Sequence, residues 1–538
     1  MKMMLKHRYL VFTGAESRPM LKLSIYADGE LIESLYTKLG TVEGEVAHEY
    51  FVDMAYFQGK DVEITLEECT DALYAGNFDA LAEGELGRMY DFIRNDASAP
   101  ADTAKYRPLV RYTPQCGWMN DPNGCIYHQG KYHLGYQYSP GTTFPTWGIN
   151  WGHAVSDNLF DWVDQEPIIR TAANSGAAWV RADNGHLCVC HGMGMMESRD
   201  GGYHYEKLPS DFPFVGDPKI FYHPETQRYV MVAQRPEPAG VRDFNTLRFY
   251  TSVDLKQWTL EGEISGFHEC PDMFRVPVAA DGSEKWILTC GNGSYRIGEF
   301  DGHVFHPDPI ENERLDYYAD APFPDLYYMV YGNHAWADKS RGIASHRGEA
   351  YAFQVFQNMP KGRCVRIGWM FVYFASQGEG YNQCLTVPHE LSLRQTGVGM
   401  RLCAQPVEEI RGLYELQVSD ARHVSIEGKA IDCEVSMDDC QSVRIGKFVF
   451  RYLAEEKRLQ VIPDKAPAFT IPHQPLDSRI KIRSVWDVGT VEFYIGEGEI
   501  YLPLPTGEYN RERLNIDVEG DGNSCIEAHA LRRAVYKH

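Results

Sequence analysis

Three short stretches of this 538-residue chain share one pattern: VSDNLFDW (155–162), ESRDGGYHY (197–205) and TSVDLKQW (251–258) each place a serine, then an aspartate, then an aromatic after a short spacer. Strand-like runs of similar character separate them, GKYHLGYQY, QRYVMVAQ and EKWILTCG. A strand–turn–strand unit that returns every 40 to 55 residues or so cannot bury its apolar face alone and stacks on its neighbours, as the blades of a β-propeller do. Residues 107–395 hold roughly five such units at that period. An irregular β-sandwich with coincidental turns is the competing fold.

The flanks are β-rich as well. Residues 8–67 alternate apolar and polar positions (LKLSIYADGELIESLYTKL, KDVEITLEE) around a tight turn at Asp28-Gly29. Residues 69–96 lose the alternation and read as a connector with one helix, and DASAPADTAKYRP reads as a linker. Beyond Gln405 alternation returns (LYELQVSD, FVFRYLA, TVEFYIGEGEIYLPL), the pattern of a β-sandwich. The expected chain is all-β in three parts: an N-terminal β-sandwich-like module with its connector over 1–100, a five-bladed propeller over 106–400, and a C-terminal β-sandwich over 405–538.

Composition narrows the partners. Aromatic residues make up 13% of the chain, with 48 Gly and 29 Pro, which suits turn-rich β structure and the stacking of rings on sugars. A formal charge of −23 repels phosphate, so nucleic acid and anionic membrane surfaces are poor partners and a neutral substrate fits better. No run approaches the roughly 20 apolar residues of a membrane span. The apolar run after the basic opening is too short for a signal-peptide core. Together with thirteen cysteines scattered without framework spacing, it sets the expectation of reduced thiols and a cytoplasmic enzyme. Cys188-Val189-Cys190-His191 has no second ligand pair at zinc-like spacing, so neither a metal nor a cofactor is expected.

Chemistry gathers at three carboxylates. Asn120-Asp121-Pro122-Asn123-Gly124 is by composition a β-turn, since Pro presets φ and Asn-Gly tolerates positive φ. A hairpin signal follows at His128-Gln129-Gly130-Lys131, which puts Asp121 at a strand end, well held yet exposed. Asp217 (FPFVGDPKIFYH) and Glu269 (GFHECPDMFRVP) also sit at the edges of apolar, aromatic runs, each followed closely by Pro. A propeller collects the starts of its innermost strands around one channel, where three such carboxylates can converge. Taken singly, each also reads as a strand opening or a solvated loop charge.

In order and spacing, WMNDPNG (118–124), GDPK (216–219) and ECPD (269–272) resemble the motifs of glycoside hydrolase family 32, the β-fructofuranosidases that include invertases, inulinases and levanases. The likeness continues through INWGHAVSDNLFDW, RCVRIGWM, TVPHELSLR and QPVEEI and spans residues 107–538. The opening module resembles the small β module ahead of the catalytic unit in some bacterial fructan-degrading members. The resemblance implies a five-bladed propeller followed by a β-sandwich, and retaining cleavage of terminal β-D-fructofuranosyl linkages in short fructo-oligosaccharides or related fructosides. It makes Asp121 the nucleophile, Glu269 the general acid/base and Asp217 the stabiliser that hydrogen-bonds sugar hydroxyls, with Asn120, Gln137, Trp147 and Ser175 at or near sugar-contacting positions. That division needs Asp121 ionised and Glu269 protonated at rest.

A fructosyltransferase, a difructose-anhydride-active enzyme and an inactive fructan-binding propeller are alternatives on the same scaffold. The presence of all three carboxylates favours turnover. Two departures stand out. Gly216 occupies the place where the family normally has an Arg gripping fructose hydroxyls, for which Arg235, Arg242 and Arg341 are candidate substitutes. Residues 319–348, carrying Tyr327, Tyr328, Tyr331, His334 and Trp336, are inserted between LDYY and EAYAFQVF.

Overall fold

A computed structural model describes residues 1–69, 81–146, 150–171, 173–235, 246–267, 269–291, 293–309 and 350–537, together with the backbone of 343–344. Regular structure among them is strand, interrupted by short 3₁₀ turns. The helix expected in the connector is a 3₁₀ turn, Leu86–Phe92, that runs directly into a strand, Ile93–Asp96.

Five antiparallel sheets, each built on four strands in chain order, succeed one another between residues 117 and 406. The first comprises Gly117–His128, Lys131–Ser139, Asn150–Ser156 and Trp162–Ile169; the second Gly176–Val180, Leu187–His191, Gly194–Ser198 and Glu206–Leu208. The third comprises Gly216–His223, Arg228–Gln234, Thr246–Ser252 and Thr259–Ser265; the fourth Asp272–Pro277, Glu284–Thr289, Ser294–Phe300 and Phe305–Pro307. Ala350–Val355, Val365–Met370, His389–Thr396 and Gly399–Pro406 make the fifth.

The recurrent serine–aspartate stretches occupy the same connection, third strand to fourth, in the first three sheets. There a serine hydroxyl closes the turn by accepting a downstream backbone N–H: Asn158 onto Ser156 (3.1 Å), Gly202 onto Ser198 (2.8 Å) and Leu255 onto Ser252 (2.9 Å). The hairpin at Gln129-Gly130 has φ of +47° and +85°, the left-handed pair that a two-residue turn between twisted strands demands.

Opening strands lie together at the centre. That of the first sheet packs against those of the second and fifth, the second against the third, and the fourth against the fifth. Gln354 stitches three of them, its amide donating to Gly176 O (2.7 Å) while its carbonyl accepts from Cys125 N (3.0 Å).

Residues before the linker form two further sheets over one apolar core containing Leu10, Phe12, Leu23, Ile25 and Tyr50. They dock on the first sheet through Glu33, which is fully buried and accepts from Asn150 and from Arg170 Nη1 (2.9 Å). Burial lifts its carboxyl to about 7 despite Arg170. At the other end of the chain two six-stranded sheets pack face to face around Val435, Ile482, Trp486, Phe493 and Leu514.

A buried ionic knot joins this C-terminal pair to the rest. Arg111 contacts Glu492 (2.8 Å) and Asp487 (3.4 Å), all three without exposed side-chain surface. Glu492 also takes hydrogen bonds from Val387 N (2.9 Å) and from the hydroxyls of Tyr494 (2.8 Å) and Tyr501 (2.7 Å). Burial alone would raise the Glu492 carboxyl, yet the Arg111 charge, the His389 ring and the Val387 N–H hold it near 2. Removing one partner of such a pair costs about 3–5 kcal/mol, because the remaining charges stay buried without compensation. Arg111→Leu is therefore expected to lower the thermal unfolding midpoint by several degrees, read by calorimetry; an unchanged midpoint would contradict the knot's role.

Candidate active site

The stretch that composition makes a turn is instead part of a strand. Gly117–His128 pairs with Lys131–Ser139 on both sides of Asp121, with register shifts between Met119 and Pro122 and between Asn123 and Ile126. These bulges turn the Asp121 carboxyl inward, and it is 8% exposed rather than solvated. Asn123, expected to help bend a turn, braces the bulge: its amide donates to Asp121 O (2.9 Å) and its carbonyl accepts from Gly176 N (2.9 Å).

Similar irregularities recur where the third and fifth sheets open, between Gly216 and Lys219 and between Tyr351 and Gln354. Asp217, Cys270 and Ala352, all lining one pocket, have φ of +42°, +52° and +51°. Left-handed backbone costs a non-glycine residue roughly 1–2 kcal/mol, so these three residues place strain at this pocket.

Of the six site residues expected from sequence beside Asp121, three converge around its carboxylate. Ser175 Oγ donates to Oδ2 (2.6 Å) and Asn120 Nδ2 to Oδ1 (3.2 Å). Asn120 also donates to Gln137, Gln137 Nε2 donates to Ser175 Oγ (2.8 Å), and Trp118 Nε1 donates to Asn120 Oδ1 (3.0 Å). Asn120, Gln137 and Ser175 thus form a closed ring that fixes the orientation of Asp121. Trp147 lies outside the described residues.

Asp217 joins Asp121 through Cys270. The thiol lies 3.5 Å from Asp121 Oδ2 and 3.6 Å from Asp217 Oδ2, and the Cys270 backbone N–H donates to the latter (3.2 Å). Burial raises the Asp121 carboxyl, against the donors from Ser175, Asn120 and Cys270. Burial, and then the Asp121 charge, push Asp217 up to about 7. Glu269 is half-buried beside them and accepts from the Tyr351 hydroxyl (3.3 Å).

Sequence reasoning missed Tyr351, whose only signal is its place in EAYAFQVF, and the buried ion pair of Lys219 with Asp272 (2.6 Å), which links GDPK to ECPD. Across from Gly216 stands Gln234. Arg235 is half-buried with its backbone N–H bonded to Thr246 O (3.0 Å). Arg242, Arg341 and the five aromatics of the 319–348 insertion lie outside the described residues. Cys188 and Cys190 belong to the apolar core shared by the second and third sheets.

Fold and pocket together define an all-β protein that brings carboxylates, the equipment of glycoside hydrolysis, to the meeting point of its sheets. The family model for the glycosyl hydrolases family 32 N-terminal domain matches residues 111–191 and 206–406, slightly more than half of the chain. The chain belongs to that family. It is 28% identical over 482 residues to a levanase of Bacillus subtilis, covering 73% of this chain and 65% of the relative. It is 27% identical over 381 residues to an extracellular exo-inulinase of Aspergillus awamori, covering 56% and 65%. The chain thus spans slightly less than two thirds of the length of these relatives. The structure of β-fructofuranosidase from Schwanniomyces occidentalis complexed with fructosyl-erythritol superposes with a TM-score of 0.65 at 18% identity, over 80% of this chain and 99% of that one. The N-terminal pair of sheets lies ahead of the matched region.

A carboxyl whose folded value is raised binds more protons in the native than in the unfolded state between the two values, so stability falls as pH rises through that window. For Asp217 the window runs from about 4 to about 7. Asp217→Asn removes this contribution, and melting temperatures measured from pH 4 to 8 should fall less steeply with pH in the variant than in the wild type. Parallel curves would contradict the assigned environment.

Proposed function

We propose that this protein is a retaining glycoside hydrolase that cleaves terminal β-D-fructofuranosyl linkages of short fructo-oligosaccharides or related fructosides. The observation that carries this reading is the meeting of Asp121, Asp217 and Glu269 around Cys270, where opening strands of neighbouring sheets come together. Relatives called levanase and exo-inulinase, and a similar fold solved with fructosyl-erythritol, support the fructosyl unit as the group recognised. In this reading the five sheets are the blades of a propeller and the pocket is its central channel.

The roles follow from the surroundings. Asp121, with donors on both oxygens, is the better anion and attacks the anomeric carbon. Glu269 gives its proton to the glycosidic oxygen as the bond between that oxygen and the anomeric carbon breaks. Water then gives a proton to Glu269 while its oxygen displaces Asp121 from the same carbon, so two inversions yield net retention. Asp217, which keeps a proton up to about pH 7, offers both a donor and an acceptor to sugar hydroxyls. The scatter of thirteen cysteines without framework spacing supports a reducing, cytoplasmic setting.

The purified protein incubated with sucrose, kestose, inulin and levan is expected to release free fructose, resolved by chromatography; transfer products alone would favour a fructosyltransferase. Asp121→Asn and Glu269→Gln should each lower turnover at least about a thousandfold with the fold intact, and near-normal rates in either would remove the assignment. Methanolysis followed by proton NMR should yield the β-methyl fructofuranoside. An α product would demand a water-activating base in place of the nucleophile.

A further inference from the structure

A carboxylate is taken out of water only where its partners offset the loss. Two carboxylates of the N-terminal sheets meet that condition outside their own module, on the connection between the second and third strands of the first sheet. Glu16, half-buried, accepts from Thr143 Oγ1 (2.7 Å) as well as from the Tyr50 hydroxyl (2.7 Å) and Lys38 Nζ (3.0 Å). Glu33, on the strand Glu30–Thr37 and with no exposed side-chain surface, accepts from Asn150 and from Arg170 Nη1 (2.9 Å). The module also closes on Gly141, where a Cβ would stand 2.4 Å from Tyr36 O and 2.8 Å from Thr37 Cβ.

Glu33 lies ahead of the region that the family model matches, which begins at residue 111, yet its partner Asn150 is close in structure to Asp121. The next residue, Trp151, has no exposed surface and pairs across the ladder with Gln137. Its indole N–H donates to Asn174 O (3.0 Å), immediately before Ser175. Its ring lies against the strand that carries Asp121, where a Cβ on Gly124 would stand 3.4 Å from Trp151 Cζ3. Gln137 and Ser175 are two members of the ring that orients the Asp121 carboxylate.

We propose that Glu33 is a positioning residue for Asp121, supplied from outside the family domain: by holding Asn150 it sets Trp151, and Trp151 sets the strand of Gln137 and the segment of Ser175. This rests on the reading of Asp121 as the nucleophile of a fructoside-cleaving enzyme. Burial is what makes the contact directive. Water cannot replace a partner lost at a fully buried carboxylate, so the Asn150 amide keeps one orientation.

The test is a double-mutant cycle between Glu33→Leu and Trp151→Phe, with turnover of sucrose and kestose measured where circular dichroism shows every variant folded. Each single variant is expected to lower kcat at least about tenfold, since a nucleophile shifted by a fraction of an ångström loses its line of attack. The double variant should fall no further than the weaker single, because both changes break the same support. Glu33→Gln, whose carbonyl still accepts from Asn150, should recover most of the loss. Leu23→Ala, in the apolar core of the same module, should lower the melting temperature and leave kcat unchanged. An unchanged kcat in Glu33→Leu, losses that multiply in the double variant, a Glu33→Gln no better than Glu33→Leu, or an equal loss of kcat in Leu23→Ala overturns the assignment and leaves Glu33 a docking contact. If Glu33→Leu does not fold, Asn150→Ala, which removes the same hydrogen bond from the other side, takes its place in the cycle under the same criteria. A wild-type enzyme inert on every fructofuranoside overturns the fructoside reading and this assignment with it, whereas an active enzyme with multiplying losses overturns the assignment alone.

Discussion

Two carboxyl groups buried against each other, with no cation between them among the described residues, set the terms for this molecule. Asp121 and Asp217 share a thiol and a few neutral donors, and the nearby positive charge, Lys219, is spent on Asp272 instead. The consequence is a pair that resists full ionisation, one member well supplied with donors and the other holding its proton toward neutrality. Left-handed backbone at Asp217, Cys270 and Ala352 adds to the cost. A site of this kind persists only if its frame over-determines it.

The frame does so by crossing sheets at the pocket rather than along their edges. Gln354 ties the fifth sheet to the first and second, Gln357 Nε2 reaches Ile220 O in the third (2.8 Å), and Asp272 in the fourth accepts from Val355 N in the fifth (2.7 Å). Each bond also satisfies a group that would otherwise lie buried without a partner, so loosening one sheet exposes several debts at once.

The C-terminal sheets extend this logic outward. His389 and Tyr501, both bonded into or against the Glu492 knot, pack on the ring of Phe353, and Arg366 lies 4.2 Å over the same ring. Phe353 in turn lines the pocket. The ionic knot that fastens the C-terminal pair is thus one residue removed from the pocket floor. At the opposite flank, Glu33 of the N-terminal sheets bonds Asn150, whose neighbour Trp151 donates to Asn174 O (3.0 Å), beside Ser175.

Local pattern carried the parts of this structure that depend on nearest neighbours. Ser156, Ser198 and Ser252 close equivalent turns because a hydroxyl two to four residues before a free N–H makes the same bond wherever it occurs. Gln129-Gly130 makes its hairpin for an equally local reason. Asp121-Pro122-Asn123-Gly124 carries the same local signals and does not become a turn, because pairing with Lys131–Ser139 on both sides and the brace from Asn123 to Gly176 outweigh them. The sequence by itself determined the alternation of the flanking strands, the punctuation between them and the candidacy of three carboxylates. Tertiary structure alone decided that Asp121 is buried, that burial and the Asp121 charge push the Asp217 carboxyl up, and that Arg111 and Glu492 meet across 381 residues. Desolvation and long-range ion pairing belong to no single segment; they arise only when distant strands close the same space.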